Sequence, residues 1–206
     1  TNLAGLYAEG LGGKKDNAMA VKWYLRAADQ GILEAQFNLS NFYESGQGVP
    51  RNTKKAAALL ESAAAAGYIE AAFNLGNLYA TGRDDVPKNV EQGMAWYKRA
   101  AERGYASAQY NLGSMYAQGR DIPKNLSLAG EWFTKAAHQG HAKAQLDLGS
   151  MYAFGIGYAR NVSEGIRWLN QAAAKPPTTV EARKRIQMLC DSDPELLGST
   201  SCPRPW

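Results

Sequence analysis

The two histidines are the residues that most directly suggest a chemical site, because they lie three positions apart in the segment His138-Gln-Gly-His141. A metal site would need both imidazole rings on one helical face, together with further ligands. Gly140 is expected to end a helix between them. The pattern therefore favours two turn residues, and the sequence predicts no metal site and no cofactor.

The patterns of covalent and phosphate-binding enzymes are equally weak. The chain contains no S-x-x-K, the pattern of serine acylation in penicillin-binding enzymes. G-x-G segments occur at residues 46–48 and 155–157, but neither follows a predicted strand, as a phosphate-binding loop requires. The carboxylates are scattered rather than paired. We therefore predict that the protein has no catalytic activity.

Cys190 and Cys202 are the only cysteines of the chain, and both lie near its C-terminus. Two interpretations are open: free thiols in a cytosolic protein, or a disulfide that anchors a tail with few other contacts. The disulfide is the sharper interpretation, and it implies an oxidising compartment.

Charge and hydropathy exclude two classes of partner. The net charge is +4 with a pI of about 9.0, and the acidic residues are distributed among the basic ones. A nucleic-acid-binding surface would need a clustered basic stripe. The apolar runs are far shorter than the roughly 20 residues of a membrane-spanning helix. We predict neither a nucleic-acid partner nor a membrane span.

One nine-residue segment without reactive side chains occurs five times in the chain. Its spacing indicates the secondary-structure elements on which any functional site must lie. The segment reads NLGNLYATG at residues 74–82, with copies at 2–10, 38–46, 111–119 and 147–155. The shared leucines fall at steps of 36, 36, 37 and 36 residues: Leu3, Leu39, Leu75, Leu112 and Leu148. A constant period in this range is typical of a solenoid. The first copy begins partway through a repeat and has no signal-peptide pattern, so we expect that a leader has been removed.

Each repeat is predicted to form two helices. A leucine and a tyrosine four positions apart share one face of the first helix, and a glycine then ends it. Predicted N-caps open the second helix at Asp16, Asn52, Asn89, Asn125 and Asn161. The second helix carries two adjacent residues with large side chains, followed one turn later by two alanines, as in Trp96-Tyr97 and Ala100-Ala101. Small residues after each leucine should let neighbouring helices approach closely.

These patterns resemble the Sel-one-like repeat, a relative of the tetratricopeptide repeat with a longer loop. Residues 71–104 carry the layout A-x-x-x-L-G-x-x-Y-x-x-G, a polar loop and W-Y-x-x-A-A-x-x-G almost fully. The resemblance implies an all-α, right-handed superhelical solenoid of about five two-helix repeats, with a C-terminal capping helix predicted over residues 178–190. We place the solenoid at residues 1–175 and the capping helix with an irregular tail at 176–206. The predicted repeats cover residues 1–31, 32–67, 68–104, 105–140 and 141–175.

By analogy with tetratricopeptide-like solenoids, the first helices line a concave, partner-binding groove. We call the residues predicted to line it the first-helix face. They are Glu34, Phe37, Asn41, Glu44, Glu70, Phe73, Asn77, Thr81, Ser107, Tyr110, Ser114, Gln118, Lys143 and Ser150, with Leu146 and Phe154 on the same count. We call a set of equivalent positions in successive repeats a column, and two columns of this face lead to different expectations. The column of Phe37, Phe73, Tyr110 and Leu146 could equally pack between repeats, whereas the Asn41, Asn77, Ser114 and Ser150 column is predicted to be exposed.

A second column places a basic residue just before four of the caps: Arg51, Lys88, Lys124 and Arg160. This basic ladder is either a solvated loop edge or a surface for an acidic strip on a partner. The resemblance implies a bacterial adaptor or scaffold that binds another protein, frequently in the envelope; with the disulfide and the missing leader, we expect a periplasmic protein. The alternatives are an immunity protein that neutralises a secretion-system toxin, such as a phospholipase effector, and a cell-wall or β-lactam enzyme, which would need a polar catalytic cluster. The sequence does not predict the oligomeric state.

Overall fold

The computed structural model describes residues 2–11, 13–192 and Cys202. Over these residues the chain forms eleven α-helices and no named strand, as predicted for an all-α solenoid. In chain order they are α1 (Asn2–Glu9), α2 (Asn17–Asp29), α3 (Leu33–Ser45), α4 (Thr53–Ala65), α5 (Ile69–Thr81), α6 (Val90–Glu102), α7 (Ala106–Gln118), α8 (Leu126–His138), α9 (Ala142–Phe154), α10 (Val162–Ala173) and α11 (Thr179–Ser192). Odd-numbered helices α1–α9 are the first helices of the repeats, and even-numbered helices are the second.

The helices group into two compact units, which we describe separately. Unit 1 covers residues 1–105 and contains α1–α6, whereas unit 2 covers residues 106–206 and contains α7–α11. Within each unit, every helix packs against its neighbours in chain order. Such nearest-neighbour packing is what makes stacked helix pairs share a core that one pair could not build alone.

The N-cap prediction is confirmed at all five second helices. The side chains of Asp16, Asn52, Asn89, Asn125 and Asn161 each accept a hydrogen bond from a backbone N–H in the first helical turn. The donor–acceptor distances are 2.9–3.0 Å. Each cap satisfies a donor that the helix itself cannot pair. The loops therefore end at fixed residues, and the second helices begin in the same register.

The core follows the repeated columns, with one exception. Leu39, Leu75, Leu112 and Leu148 are at most 2% exposed, but Leu3 is 43% exposed. The packing prediction is therefore wrong at Leu3, because α1 packs chiefly against α2 and its leucine lacks the second neighbour that covers the others. Small residues next to the leucines have the predicted role. A Cβ added to Gly76 would lie 2.5 Å from the Tyr97 ring, so only glycine permits this approach.

The C-terminal part of unit 2 departs from the repeat. Helix α11 confirms the predicted capping helix and packs mainly against α10, burying Ala182, Ile186 and Leu189. The predicted irregular tail lies outside the described residues, apart from Asp191, Ser192 and Cys202. Asp191 and Ser192 belong to α11, so the prediction of an irregular segment is wrong for these two residues. Cys190 and Cys202 are joined in a disulfide, and both side chains are buried with the α10–α11 core.

Candidate functional site

The first-helix face divides into exposed and half-buried positions. The exposed members are Glu34, Asn41, Glu70, Thr81, Gln118, Lys143 and Phe154. The half-buried members are Phe37, Glu44, Phe73, Asn77, Ser107, Tyr110, Ser114 and Ser150. Leu146 is 9% exposed and belongs to the core of unit 2, so packing is its role.

The aromatic members of this face pack between structural elements in both units. In unit 1, the Phe37 ring centroid lies 5.3 Å from that of Tyr68, and the Phe73 centroid lies 5.0 Å from that of Tyr105. In unit 2, Tyr110 stacks on His141 with 4.7 Å between centroids. The packing alternative therefore holds for this column. These half-buried rings still leave edges at the surface, where aromatic groups stabilise protein interfaces.

Tyr68 and Tyr105 were not predicted for the site, although the sequence carries a signal for them. Each follows the glycine that closes the preceding repeat. Burial, and next the Glu70 carboxylate, raise the pKa of both phenols. Unit 1 thus combines exposed carboxylates and tyrosine rings on one part of its surface.

The column predicted to be exposed is largely engaged in hydrogen bonds. Asn41 is exposed as predicted, but Asn77 accepts a bond of 2.6 Å from the Tyr97 hydroxyl. Ser114 accepts a bond of 2.7 Å from Gln118, and Ser150 donates to the Leu146 carbonyl. Asn77, Ser114 and Ser150 are also half-buried, so the exposure prediction is wrong for these three residues.

A charged cluster in unit 2 was missed by the sequence reasoning. Asp147 is half-buried, receives a hydrogen bond from Tyr110, and lies 3.9 Å from the Arg185 guanidinium of α11. Arg185 also contacts Glu181 at 3.0 Å and donates to Ser150. Burial raises the pKa of Asp147 in spite of Arg185, and burial together with Asp147 raises the pKa of Tyr110 to about 12. The sequence did contain a signal for this cluster. The position before the repeated leucine is an asparagine in the second, third and fourth repeats (Asn38, Asn74 and Asn111) but an aspartate, Asp147, in the fifth.

The histidines have structural contacts. His141 is the N-cap of α9, where its Nδ1 accepts from the Ala144 N–H at 3.3 Å. Burial lowers the pKa of His141, which favours the neutral ring that this cap requires. His138 ends α8 and meets the Trp168 ring edge-on at 5.1 Å. Among the described residues, no group of three or more potential ligands could hold a metal ion.

The basic ladder does not form one uniform surface. All four residues are exposed, but the Arg51 guanidinium lies 2.7 Å from the Asp84 carboxylate, and Arg160 donates to the Ala153 carbonyl at 3.2 Å. Asp84 lies in the loop with one extra residue and also accepts a 2.6 Å bond from Thr53. Arg51 is therefore already paired within the chain, which weakens the hypothesis of an acidic partner strip along the ladder.

These features define the class of protein: stacked two-helix repeats with a packed alanine- and leucine-rich core and polar residues on the first helices. The Sel1 repeat family matches residues 1–32, 33–68, 69–105, 106–141 and 142–176. The chain belongs to this family, which confirms the resemblance seen in the sequence. The Sel1 repeat generally forms a non-catalytic scaffold for protein interactions.

Solved structures agree with the assignment. A Sel1 repeat protein from Oxalobacter formigenes is 32% identical with a TM-score of 0.83, and the match covers 96% of this chain and 79% of that one. A protective antigen of uropathogenic Escherichia coli strains is 30% identical with a TM-score of 0.89, and the match covers 96% of this chain but 41% of that one. An immunity protein from Pseudomonas aeruginosa, 17% identical over 97% of this chain and 88% of that one with a TM-score of 0.52, shares the fold alone.

Two further findings complete the comparison. No curated protein matches the chain significantly. Over the residues that the structure describes, no helix is long and apolar enough to cross a membrane.

Proposed function

We propose that the protein is a non-catalytic scaffold of a bacterial cell envelope that binds a partner protein through the first-helix faces of its repeats. The observation that carries the proposal is the exposure of Glu34, Asn41 and Glu70 in unit 1, and of Gln118 and Lys143 in unit 2. None of these side chains is needed to fill the core. In a fold that generally serves protein interactions, such residues are the ones available to a partner.

The disulfide supports the envelope location. Cys190 and Cys202 are bonded, and disulfides persist in oxidising compartments such as the bacterial periplasm. The two solved relatives named above with 30% and 32% identity come from bacteria. Both observations support the proposed periplasmic location.

The partner belongs to one of two groups, an adaptor client or a toxin effector. A client would be a resident envelope protein, whereas an effector would be inhibited on binding. Both would use the same surface, so the identity of the captured protein separates the scaffold role from the immunity role.

Site-specific photo-crosslinking tests the proposed surface. A photo-reactive amino acid is placed at Asn41 on α3 or at Gln118 on α7, and as a matched control at Ala58 on the second helix α4; all three positions are exposed. We expect one discrete crosslinked partner from Asn41 and Gln118 in cells that express the native proteins, and none from Ala58. Crosslinks from Ala58 alone would place the interface on the second helices and contradict the proposal.

The location has a separate test. Protein isolated from its native cells and denatured without reductant should contain no titratable thiol, and it should fractionate with periplasmic markers. Two free thiols in such a sample would remove the argument for the envelope while leaving the binding surface untouched.

A further inference from the structure

An open cavity of about 220 Å³ in unit 1 lies where one position of the repeat changes from glutamine to alanine. Its walls include Ala64 of α4, Ala72 of α5 and Ala100 of α6. The column that contains Ala72 is otherwise occupied by Gln36, Gln109 and Gln145.

The glutamines of unit 2 show what the missing side chain would do. Gln109 accepts a 2.7 Å hydrogen bond from Gln139, the C-cap residue of the following helix, α8. Gln145 donates to the Ala137 carbonyl at 3.1 Å and to Gln171 at 3.0 Å. Both glutamine side chains are buried and fill the space between consecutive helices. With alanine at position 72, the corresponding space in unit 1 stays open.

The same place carries two guanidinium groups. Arg99 on α6 and Arg103, the C-cap residue that follows this helix, line the cavity, and both are exposed. Arg103 stands in the column of Gln139 and donates from Nη1 to the Gly67 carbonyl at 3.0 Å. The Arg99 guanidinium carbon lies 4.8 Å from the centroid of the Trp96 ring, so its face is covered by the indole. A guanidinium has five donors in one plane, and these contacts leave donors of both arginines available.

Carboxylates reduce this positive charge. Burial raises the pKa of the lining Tyr68, and the nearby carboxylates of Glu70 and Glu34 raise it further. Glu102 also lines the cavity, and its carboxylate lies 3.9 Å from the Lys98 ammonium. The lining therefore has two guanidinium groups and one carboxylate, and that carboxylate has a cation of its own beside it.

The apolar side chains of the lining that solvent reaches include those of exposed Ala65 and half-buried Ile69. Ala64, Ala72 and Ala100, in contrast, are at most 6% exposed. The Ala65 and Ile69 side chains therefore offer contact to a small apolar group.

We propose that this cavity binds a carboxylate joined to a short aliphatic group. Arg99 and Arg103 supply donors that match the two oxygens of a carboxylate, and the Ala65 and Ile69 side chains receive the aliphatic part. This chemistry has two sources: the C-terminal residue of a polypeptide or a free branched carboxylic acid. The site does not depend on the function proposed for the first-helix faces.

The chain provides a matched variant that closes the cavity. Ala72→Gln combined with Arg103→Gln recreates in unit 1 the glutamine pair that Gln109 and Gln139 form in unit 2. We expect the double variant to fold with an unchanged or higher Tm, because its new side chains repeat a pairing that the fold already contains. Lys98→Gln is the control for a lost exposed charge on the same helix.

N-acetylvaline and its amide are the probes, with binding followed by chemical shifts of the backbone amides of residues 64–72 and 99–103 in the full-length protein. We expect N-acetylvaline to bind the wild type and the Lys98→Gln variant with a Kd of about 1 mM or lower. The double variant and the valine amide should each bind at least about tenfold more weakly, the effect of one lost hydrogen bond to a charged group.

The result has clear alternatives. No saturable shift at these residues, equal binding of the amide, or equal binding to the double variant would each overturn the proposal. The only role of Arg103 would then be to pack at the position that Gln139 occupies in unit 2. Among supporting outcomes, tighter binding of Gly-Gly-Val than of isovalerate identifies a polypeptide terminus as the source, and the reverse order identifies a free acid.

Discussion

Units 1 and 2 build similar helix pairs on cores of the same type, but they present different charges on their first helices. Leu39 and Leu75 of unit 1 are buried to the same extent as Leu112 and Leu148 of unit 2. The third residue after the closing glycine, however, is Glu34 and Glu70 in unit 1 and Ser107 and Lys143 in unit 2. The difference shows that packing constrains the core columns, whereas the surface columns can change without cost to the fold.

A second difference concerns buried polar groups. The column of Asn38, Asn74 and Asn111 changes to Asp147 in unit 2, where Arg185 of α11 lies beside it. Unit 2 also contains the disulfide, whereas unit 1 contains no cysteine. The features that distinguish unit 2 therefore cluster around its capping helix, and those of unit 1 are the exposed carboxylates and the alanine-lined cavity.

The largest effect should come from the core that the two units have in common. Leu75→Ala and Leu148→Ala should each lower the free energy of unfolding by about 2–5 kcal/mol, because both leucines are fully buried and the cavity left behind would not collapse. Neighbouring repeats should lose protection as well, since each repeat stabilises the next. Urea unfolding and hydrogen exchange measure both effects.

The exposed member of the same column is the control. Leu3→Ala should cost about 1 kcal/mol or less, because Leu3 is 43% exposed. A central leucine whose substitution changed stability no more than Leu3→Ala would show that the two units do not share one packing scheme.

The disulfide should affect unit 2 and not unit 1. The bonded cysteines are 12 positions apart, and opening so short a loop costs at most about 3 kcal/mol. After reduction we expect faster hydrogen exchange in α10 and α11, while exchange in α3–α5 stays unchanged. Cys190→Ser with Cys202→Ser should reproduce the result without reductant; unchanged exchange in α11 would contradict a stabilising role.

The carboxylate at position 147 should make unit 2 less stable at neutral pH than an asparagine would. The folded protein raises the pKa of Asp147, so it binds the proton more tightly than the unfolded chain does. The stabilisation is therefore present below the unfolded pKa and is lost as the pH rises through the folded pKa. Asp147→Asn should raise the Tm at pH 7, by an amount equivalent to less than about 1 kcal/mol, since the site is partly solvated.

The matched change in unit 1 should have the opposite sign. Asn74→Asp places a half-buried carboxylate in the same column without an equivalent of Arg185, so it should lower the Tm at pH 7 and less so at pH 4. Thermal melting across this pH range measures both variants. An Asp147→Asn protein with a lower Tm at pH 7 would show that the Arg185 attraction outweighs the cost of burial.

The repeated columns made most of the fold predictable. Leucines, caps and small residues recur with one period; the five caps form the same hydrogen bond, and four of the five leucines are buried. The partners of the half-buried polar residues could not be predicted in this way. Asp147 depends on Arg185, which belongs to a helix outside the repeat, and the Asn77 bond to Tyr97 depends on how closely α5 and α6 approach at Gly76.

Exposure on the first helices was predictable only in part for the same reason. A helical count places Asn41 and Asn77 at equivalent positions, but it does not show that one side chain reaches solvent and the other reaches a hydroxyl group. Substitutions designed to block a partner are therefore better placed at Asn41 or Glu70 than at Asn77, where an arginine would also break a hydrogen bond of the core-facing Tyr97.

The smallest effect should come from the loop that carries one extra residue in unit 1. Asp84 has a φ of 51° and accepts hydrogen bonds from Thr53 and Arg51. The Thr53 hydroxyl, and then the Arg51 guanidinium, lower the pKa of Asp84 below its ordinary value of 3.8. The stabilisation is thus present above the unfolded pKa and is lost as the pH falls through the folded pKa.

Asp84→Asn tests this loop without adding backbone strain, because asparagine also tolerates a positive φ. The variant keeps an acceptor for Thr53 but loses the charge that attracts Arg51. We expect slightly faster hydrogen exchange at Arg83 and Val86 at pH 7, a difference that shrinks in high salt and disappears as the pH falls well below 4. The loop at residues 120–125 of unit 2 lacks the extra residue and serves as the control. Hydrogen exchange in that loop should not change in the Asp84→Asn variant. An effect that was independent of both salt and pH would mean that the Thr53 hydrogen bond alone, and not the ion pair, orders the loop.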